Sequence, residues 1–222
     1  MLVLQQTLTL LKKEFLLEFR QKNAFFSLIL YIVGTVFLCY MAFHLKTQHI
    51  NSVTWNTLFW IILLFVAINS IGKSFINESK SRHYYYYHTA NPLAYVFSKM
   101  IYNIVLMTTM AFLTFGFMNL VLHIEIGDIN VFMLNLIMGS IGFSCTLTLI
   151  AAIAGQTSNP MLMAIMSFPV ILPLLLILIR VSSHAIDGLL RSGITDDLIA
   201  LSAINVIVVV VTYILYPYLW RA

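Results

Sequence analysis

The sequence holds six apolar runs, each long enough to cross a bilayer as a helix, with little chain left between them. A crossing takes roughly 20 apolar residues, because the hydrocarbon core is about 30 Å thick and a helix rises about 1.5 Å per residue. The runs lie at about 24–43, 55–72, 95–122, 131–154, 161–181 and 198–219, the end of the second blurred by Asn69 and Lys73. In a bilayer every backbone N–H and C=O must find its partner internally, so such runs fold as helices. Composition agrees: 61% of the 222 residues are hydrophobic and 9% charged, against about 25% charged in a soluble domain. That balance excludes a soluble enzyme, a nucleic-acid binder and a disordered chain. Cys39 and Cys145 both fall inside apolar runs, which argues against a disulfide framework or a thiolate metal site. The fold class expected is an all-α integral membrane protein, a single transmembrane domain over 1–222.

The first 22 residues precede the first run and carry Lys12, Lys13, Glu14, Glu18, Arg20 and Lys22. A secretory signal begins its apolar core at once after a short basic start, so this segment does not read as one. Leu4, Leu8, Leu11, Phe15 and Phe19 fall on one stripe at helical spacing, with Gln5, Lys12, Lys13 and Arg20 elsewhere. The pattern predicts an interfacial amphipathic helix over 1–22, its basic residues at the headgroups; a plain extension of the first span is the alternative.

Charge sets the orientation. With six spans both termini share a side, and that side holds Lys12, Lys13, Arg20, Lys22, Lys73, Lys80, Arg82, Lys99 and Arg221. Only Lys46, Arg180 and Arg191 fall opposite, where Glu125, Asp128, Asp187, Asp196 and Asp197 outweigh them. The positive-inside rule therefore puts both termini in the cytoplasm. The basic excess is a topology signal.

No ionisable residue falls near the middle of a span; Lys73, Lys99, His123 and Arg180 sit near ends, where long side chains snorkel to the headgroups. Within the spans, Asn103, Thr108, Thr109, Asn119, Asn135, Ser140, Ser144, Thr146, Thr148 and Asn205 read as hydrogen bonds between helices. Gly139, Ser140, Gly142, Ser144, Ala151 and Gly155 are spaced for close helix approach. His44, His49, His83, His88, His123 and His184 show no helical ligand pair at i, i+3 or i, i+4. The chain has no Gly-rich phosphate loop, Gly-x-Ser-x-Gly elbow or His-Glu-x-x-His, so no catalytic residue and no metal ligand set is assigned. A membrane-embedded enzyme would have to draw on the outer Asp187, Asp196 and Asp197 near Arg191, which a solvated loop explains equally. Pro169 and Pro173, four apart in the fifth run, remove backbone donors and predict a kinked or partly unwound helix, a candidate moving or substrate-lining element.

The inner segment from Lys73 to Lys99 has the oddest composition. Phe75 to Arg82 is charged and potentially helical, and it runs into His83, the tyrosines Tyr84, Tyr85, Tyr86 and Tyr87, and the turn Thr89-Ala90-Asn91-Pro92. Tyrosine and arginine are enriched at protein contact surfaces, so Glu78, Arg82 and Tyr84 to Tyr87 read as a docking surface. An aromatic belt at the headgroups is the plainer alternative.

Taken in order, Lys-Lys-Glu-Phe-x-x-Glu-Phe-Arg at 12–20, six spans, Phe-x-x-Glu at 75–78, Asn91-Pro92 with Lys99, and Phe168-Pro-x-x-x-Pro173 resemble the haem exporter protein B family (CcmB) over essentially the whole chain. The resemblance implies an ABC-exporter-like permease of the cytochrome c maturation system without its own ATPase site. It implies ATP used through a cytosolic ABC ATPase subunit (CcmA-like) for haem export, with haem as candidate cargo, or for release of a haem-loaded chaperone, and a haem-handling membrane protein (CcmC-like) with that haem chaperone as partners. It further implies a bacterial inner-membrane homodimer in lipid, with no nucleic acid partner. By position, Glu78 to Tyr87 would be the coupling loop on the ATPase, flanked by Lys12 and Lys13. The chain departs from the family there, with Arg82-His83-Tyr84-Tyr85 in place of a frequent Gly-x-Leu-Glu. A permease of another ABC exporter, for lipid-linked glycans or drugs, has the same plan.

Overall fold

The structure is a computed structural model that describes residues 2–20, 22–44, 50–72, 86, 90–155, 160–188 and 194–220. The described residues form seven helices and no strand: α1 (Leu2–Arg20), α2 (Lys22–His44), α3 (Ser52–Ile71), α4 (Pro92–Val121), α5 (Ile129–Gly155), α6 (Pro160–Asp187) and α7 (Ile194–Leu219). Six of them, α2 to α7, are long and apolar enough to span a membrane, and they coincide with the six runs of the sequence. The chain is an all-α integral membrane protein.

α5 is the axis of the bundle. It packs against α6, α4, α7 and α3, and it is the most enclosed span, while α2 and α7 are the most open. The small residues make this possible. A methyl group built on Gly139 would lie 2.8 Å from the Trp60 ring and 2.9 Å from Leu178; one on Gly142 would lie 2.7 Å from Leu174 and 2.8 Å from Asn205 Oδ1. Glycine at these two positions lets α3, α6 and α7 approach the α5 backbone. Around them Trp55 stacks on Phe59 at 5.6 Å, and Phe115 and Phe132 close the cluster at 5.3 Å.

Polar side chains fasten this core. Asn56 donates to the Ile179 carbonyl (2.9 Å) and accepts from Ser182 Oγ (2.6 Å), which in turn accepts from Trp60 Nε1 (2.8 Å). Asn135 donates to the Leu178 carbonyl and Asn205 to that of Met138. Asn103 donates to Thr148 Oγ1, and Ser144 to the Asn103 carbonyl. The expected bonds between helices thus hold for Asn103, Asn135, Ser144, Thr148 and Asn205. Thr108, Thr109 and Ser140 instead donate to carbonyls one turn back on their own helices.

α6 runs without interruption through Pro169 and Pro173. Each proline withdraws one N–H from the ladder, yet no unwound step separates the two halves. Both rings lie on the exposed side among Phe168, Val170 and Leu172. At the end of the bundle that holds the α4–α5 connection, Asp128 Oδ1 accepts from the Asn130 and Val131 amides and starts α5. The Gly127 and Asp128 amides donate to the Ile186 and Ala185 carbonyls, stitching the α4–α5 connection to the end of α6. Gly127 and Gly188 meet so closely that a Cβ on Gly127 would lie 2.7 Å from the Gly188 backbone. Asp196 and Asp197 belong to the first turn of α7, where a carboxylate favours the helix N-terminus, and Asp197 also pairs with Arg180 at 3.5 Å. The solvated-loop reading of these two acids is corrected accordingly.

Candidate functional site: a junction at the start of α4

The turn Asn91-Pro92 sets the geometry. Asn91 is extended, and its side chain accepts from the Leu93 amide at 3.0 Å, while Pro92 occupies the first helical position, where its missing N–H leaves no bond unmade. α4 therefore begins at Pro92, and the connection expected to reach Lys99 ends eight residues earlier. At 30 residues α4 is about 45 Å long, some 15 Å more than the hydrocarbon core requires.

α1 lies along this surplus length. The Asn91 amide donates to Gln6 Oε1 at 3.2 Å, and Lys99 Nζ pairs with Glu14 Oε1 at 3.5 Å. Both pairs join residues 85 apart in sequence, so the two helices run parallel in register over this stretch. Leu10 packs between these points in the cluster that holds Tyr95, and further along Phe15 meets Tyr102 edge-on at 5.4 Å.

α1 thus presents Gln6, Leu10, Lys13 and Glu14 to the bundle. The stripe foreseen from Leu4 to Phe19 is divided. Leu11 and Phe15 pack against the core, Leu4 and Leu8 are exposed with Lys12 and Leu16, and the Phe19 side chain lies outside the description.

The ionic centre is compact. Lys13 Nζ reaches the same Glu14 oxygen at 2.9 Å, so one carboxylate lies between two ammonium groups. Lys99 is 2% exposed and Glu14 13%. The expectation that Lys99 snorkels outward is therefore corrected: it turns inward to a carboxylate supplied by α1. A buried ammonium is tolerated only with such a partner.

Aromatic rings complete the centre. Lys13 lies 4.6 Å from the Tyr86 ring centre, and Lys99 lies 5.2 Å from that of Tyr95. Tyr95 meets Tyr86 at 5.7 Å, Trp220 at 5.1 Å and Tyr216 at 6.5 Å. Tyr86 is tied to the turn before α4 by its carbonyl, which accepts from the Ala90 amide at 2.9 Å. Four stretches of chain meet here: α1, the segment before Asn91, the start of α4 and the end of α7.

Of the residues expected to dock a partner, the junction gathers Tyr86 and the flanking Lys13, and of the other quoted motif residues Glu14, Asn91, Pro92 and Lys99. Glu78, Arg82, Tyr84, Tyr85 and Tyr87 lie outside the described residues, as do His49, His83 and His88. Pro169 and Pro173 belong to α6, which takes no part in the junction. Sequence reasoning missed the pairing of Glu14 with Lys99 and the roles of Tyr95, Tyr216 and Trp220. One signal was present: Gln6 and Glu14 repeat the eight-residue spacing of Asn91 and Lys99. Asn56 and Ser182 were also passed over, each at the edge of an apolar run beside other polar residues, Thr57 for Asn56 and Arg180, Ser183 and His184 for Ser182. Among the described residues no three His, Cys, Asp or Glu side chains gather as a metal site would require.

A family model described as CcmB protein matches residues 5–218, essentially the whole chain. No curated protein and no solved structure matches it.

Proposed function

The chain belongs to the CcmB family, and from that premise we propose that it is the membrane permease through which a separate cytosolic ABC ATPase drives haem export, or release of a haem-loaded chaperone, during cytochrome c maturation. Membership gives the general class, an ABC-type permease of cytochrome c maturation and haem transport. The finer reading adds a CcmA-like ATPase at the inner face, a CcmC-like haem-handling partner with its chaperone, two copies of this chain per unit, and a bacterial inner membrane with both termini cytoplasmic. Haem enters as cargo and ATP through the partner.

The observation that carries this reading is the junction at the start of α4. It holds Tyr86, the one described residue of the tyrosine run, on a base made from α1, α4 and α7. The positive-inside rule puts this end of the bundle in the cytoplasm, where an ATPase would meet it. A half-buried tyrosine beside the half-buried Lys13 and the exposed Lys12, seated on packed helices, suits a protein contact. The bundle behind it, fastened by buried carboxamides, suits a body that moves as one piece.

The test is deletion of the gene followed by haem staining of membrane c-type cytochromes on a denaturing gel. Loss of all covalent haem bands, restored by a plasmid copy, is expected. Unchanged bands would overturn the haem reading and favour an exporter for another cargo.

A further inference from the structure

The buried pair of Glu14 and Lys99 has no place in a purely lipid-facing account of α1. An interfacial helix needs only an apolar face and a charged one. This helix instead sends a carboxylate inward, against a lysine in the third turn of a spanning helix. The removal of two charges from water is costly, and apolar side chains of like size would pack α1 to α4 at least as stably. What an ion pair adds over an apolar contact is a fixed register. Here the register is marked twice, by Gln6 on Asn91 and by Glu14 on Lys99, with the same offset.

We infer that Glu14 and Lys99 are positioning residues of this permease: the pair locks α1 and the start of α4 into one rigid unit, so that displacement of the partner-facing segment around Tyr86 moves the transmembrane bundle. This rests on the ATPase-coupled reading above and says which residues transmit. The path is physical at each step. Tyr86 lies against Lys13 and Tyr95, Lys13 shares the Glu14 carboxylate with Lys99, and Tyr95 passes the contact to Tyr216 and Trp220 at the end of α7. α4 then meets α5 through Asn103, Thr148 and Ser144, one turn beyond Lys99. A push on Tyr86 therefore meets a continuous chain of contacts to α4 and α7 together.

The experiment uses the full chain with its ATPase subunit, in a strain whose chromosomal copy is deleted. Lys99→Met, Lys99→Arg and the double variant Glu14→Gln with Lys99→Met are compared for membrane level, ATPase retained on purification and covalent haem. We expect Lys99→Met and the double variant to insert and to retain the ATPase, with covalent haem down about tenfold, within the usual range of a lost coupling between sites. Lys99→Arg keeps the charge and is expected to restore most of the signal.

Normal haem in the double variant would overturn the inference, and so would a Lys99→Arg protein as defective as Lys99→Met. Loss of the ATPase from the double variant would also overturn it, because the pair would then belong to the docking surface. Should Lys99→Met fail to accumulate, the double variant decides, since it leaves neither charge buried alone. If the wild-type chain itself retains no ATPase, the functional reading fails, which is a separate result.

Discussion

At the scale of single residues, the bundle is decided by where a side chain is withheld. Gly139 faces an indole that is itself held by Ser182, so an added methyl meets a ring that cannot turn away. Gly139→Ala should destabilise the protein by about 1–3 kcal/mol, the usual penalty of overpacking a tight core. Gly34 and Gly116 have nothing within 4 Å of an added Cβ, and alanine there should be neutral or gain up to about 1 kcal/mol from helix propensity. Thermal midpoints of the three purified variants in one detergent check both statements. Asn56 is the polar counterpart, bridging α3 to Ser182 and Ile179 on α6. Asn56→Leu should cost about 1–2 kcal/mol by the same assay, near the upper range for hydrogen bonds between membrane helices. A midpoint unchanged from wild type would mean that the Asn56 bridge contributes nothing.

At the scale of elements, α6 joins two unlike halves. Its C-terminal half is clamped by Asn56 and Asn135 through the Ile179 and Leu178 carbonyls. Its N-terminal half carries Pro169 and Pro173 on an exposed side. A helix held at one end and short of backbone donors near its centre bends more easily than its neighbours. Pro169→Ala with Pro173→Ala should insert normally and raise the thermal midpoint, while covalent haem in c-type cytochromes falls. An unchanged haem signal would reduce the prolines to architecture.

The helices themselves were legible in the sequence, because twenty apolar residues leave a backbone in lipid one choice. Their partners were less so. Asn103, Asn135 and Asn205 announced bonds between helices by being polar in apolar runs, but nothing local distinguished them from Thr108 and Ser140, which bond within their own helices. The inward turn of Lys99 was illegible for a different reason. Its partner stands 85 residues earlier, and a lysine near a helix end has solvent as its ordinary destination.

At the scale of the whole molecule, the two ends of the bundle differ in kind. The end at the α4–α5 connection is closed by backbone: the Gly127 and Asp128 amides on α6, and the Gly127 and Gly188 contact. The end at the start of α4 is closed by side chains, an ion triplet and packed rings that join α1, α4 and α7 around Tyr86. Ions and rings can be loaded and displaced by a protein partner in a way that a backbone stitch cannot. This asymmetry is what supports the proposal that a partner acts at the junction and not at the opposite end.

The most direct test purifies the tagged chain from its own membranes and asks whether an ABC ATPase comes with it, beside a variant in which Tyr84, Tyr85, Tyr86 and Tyr87 are all changed to alanine. The account predicts that the wild-type chain retains the ATPase, and that the variant inserts at a normal level and loses it. An ATPase retained equally by both would remove the tyrosines from the interface, and none retained by either would contradict the claim that this permease is driven by one.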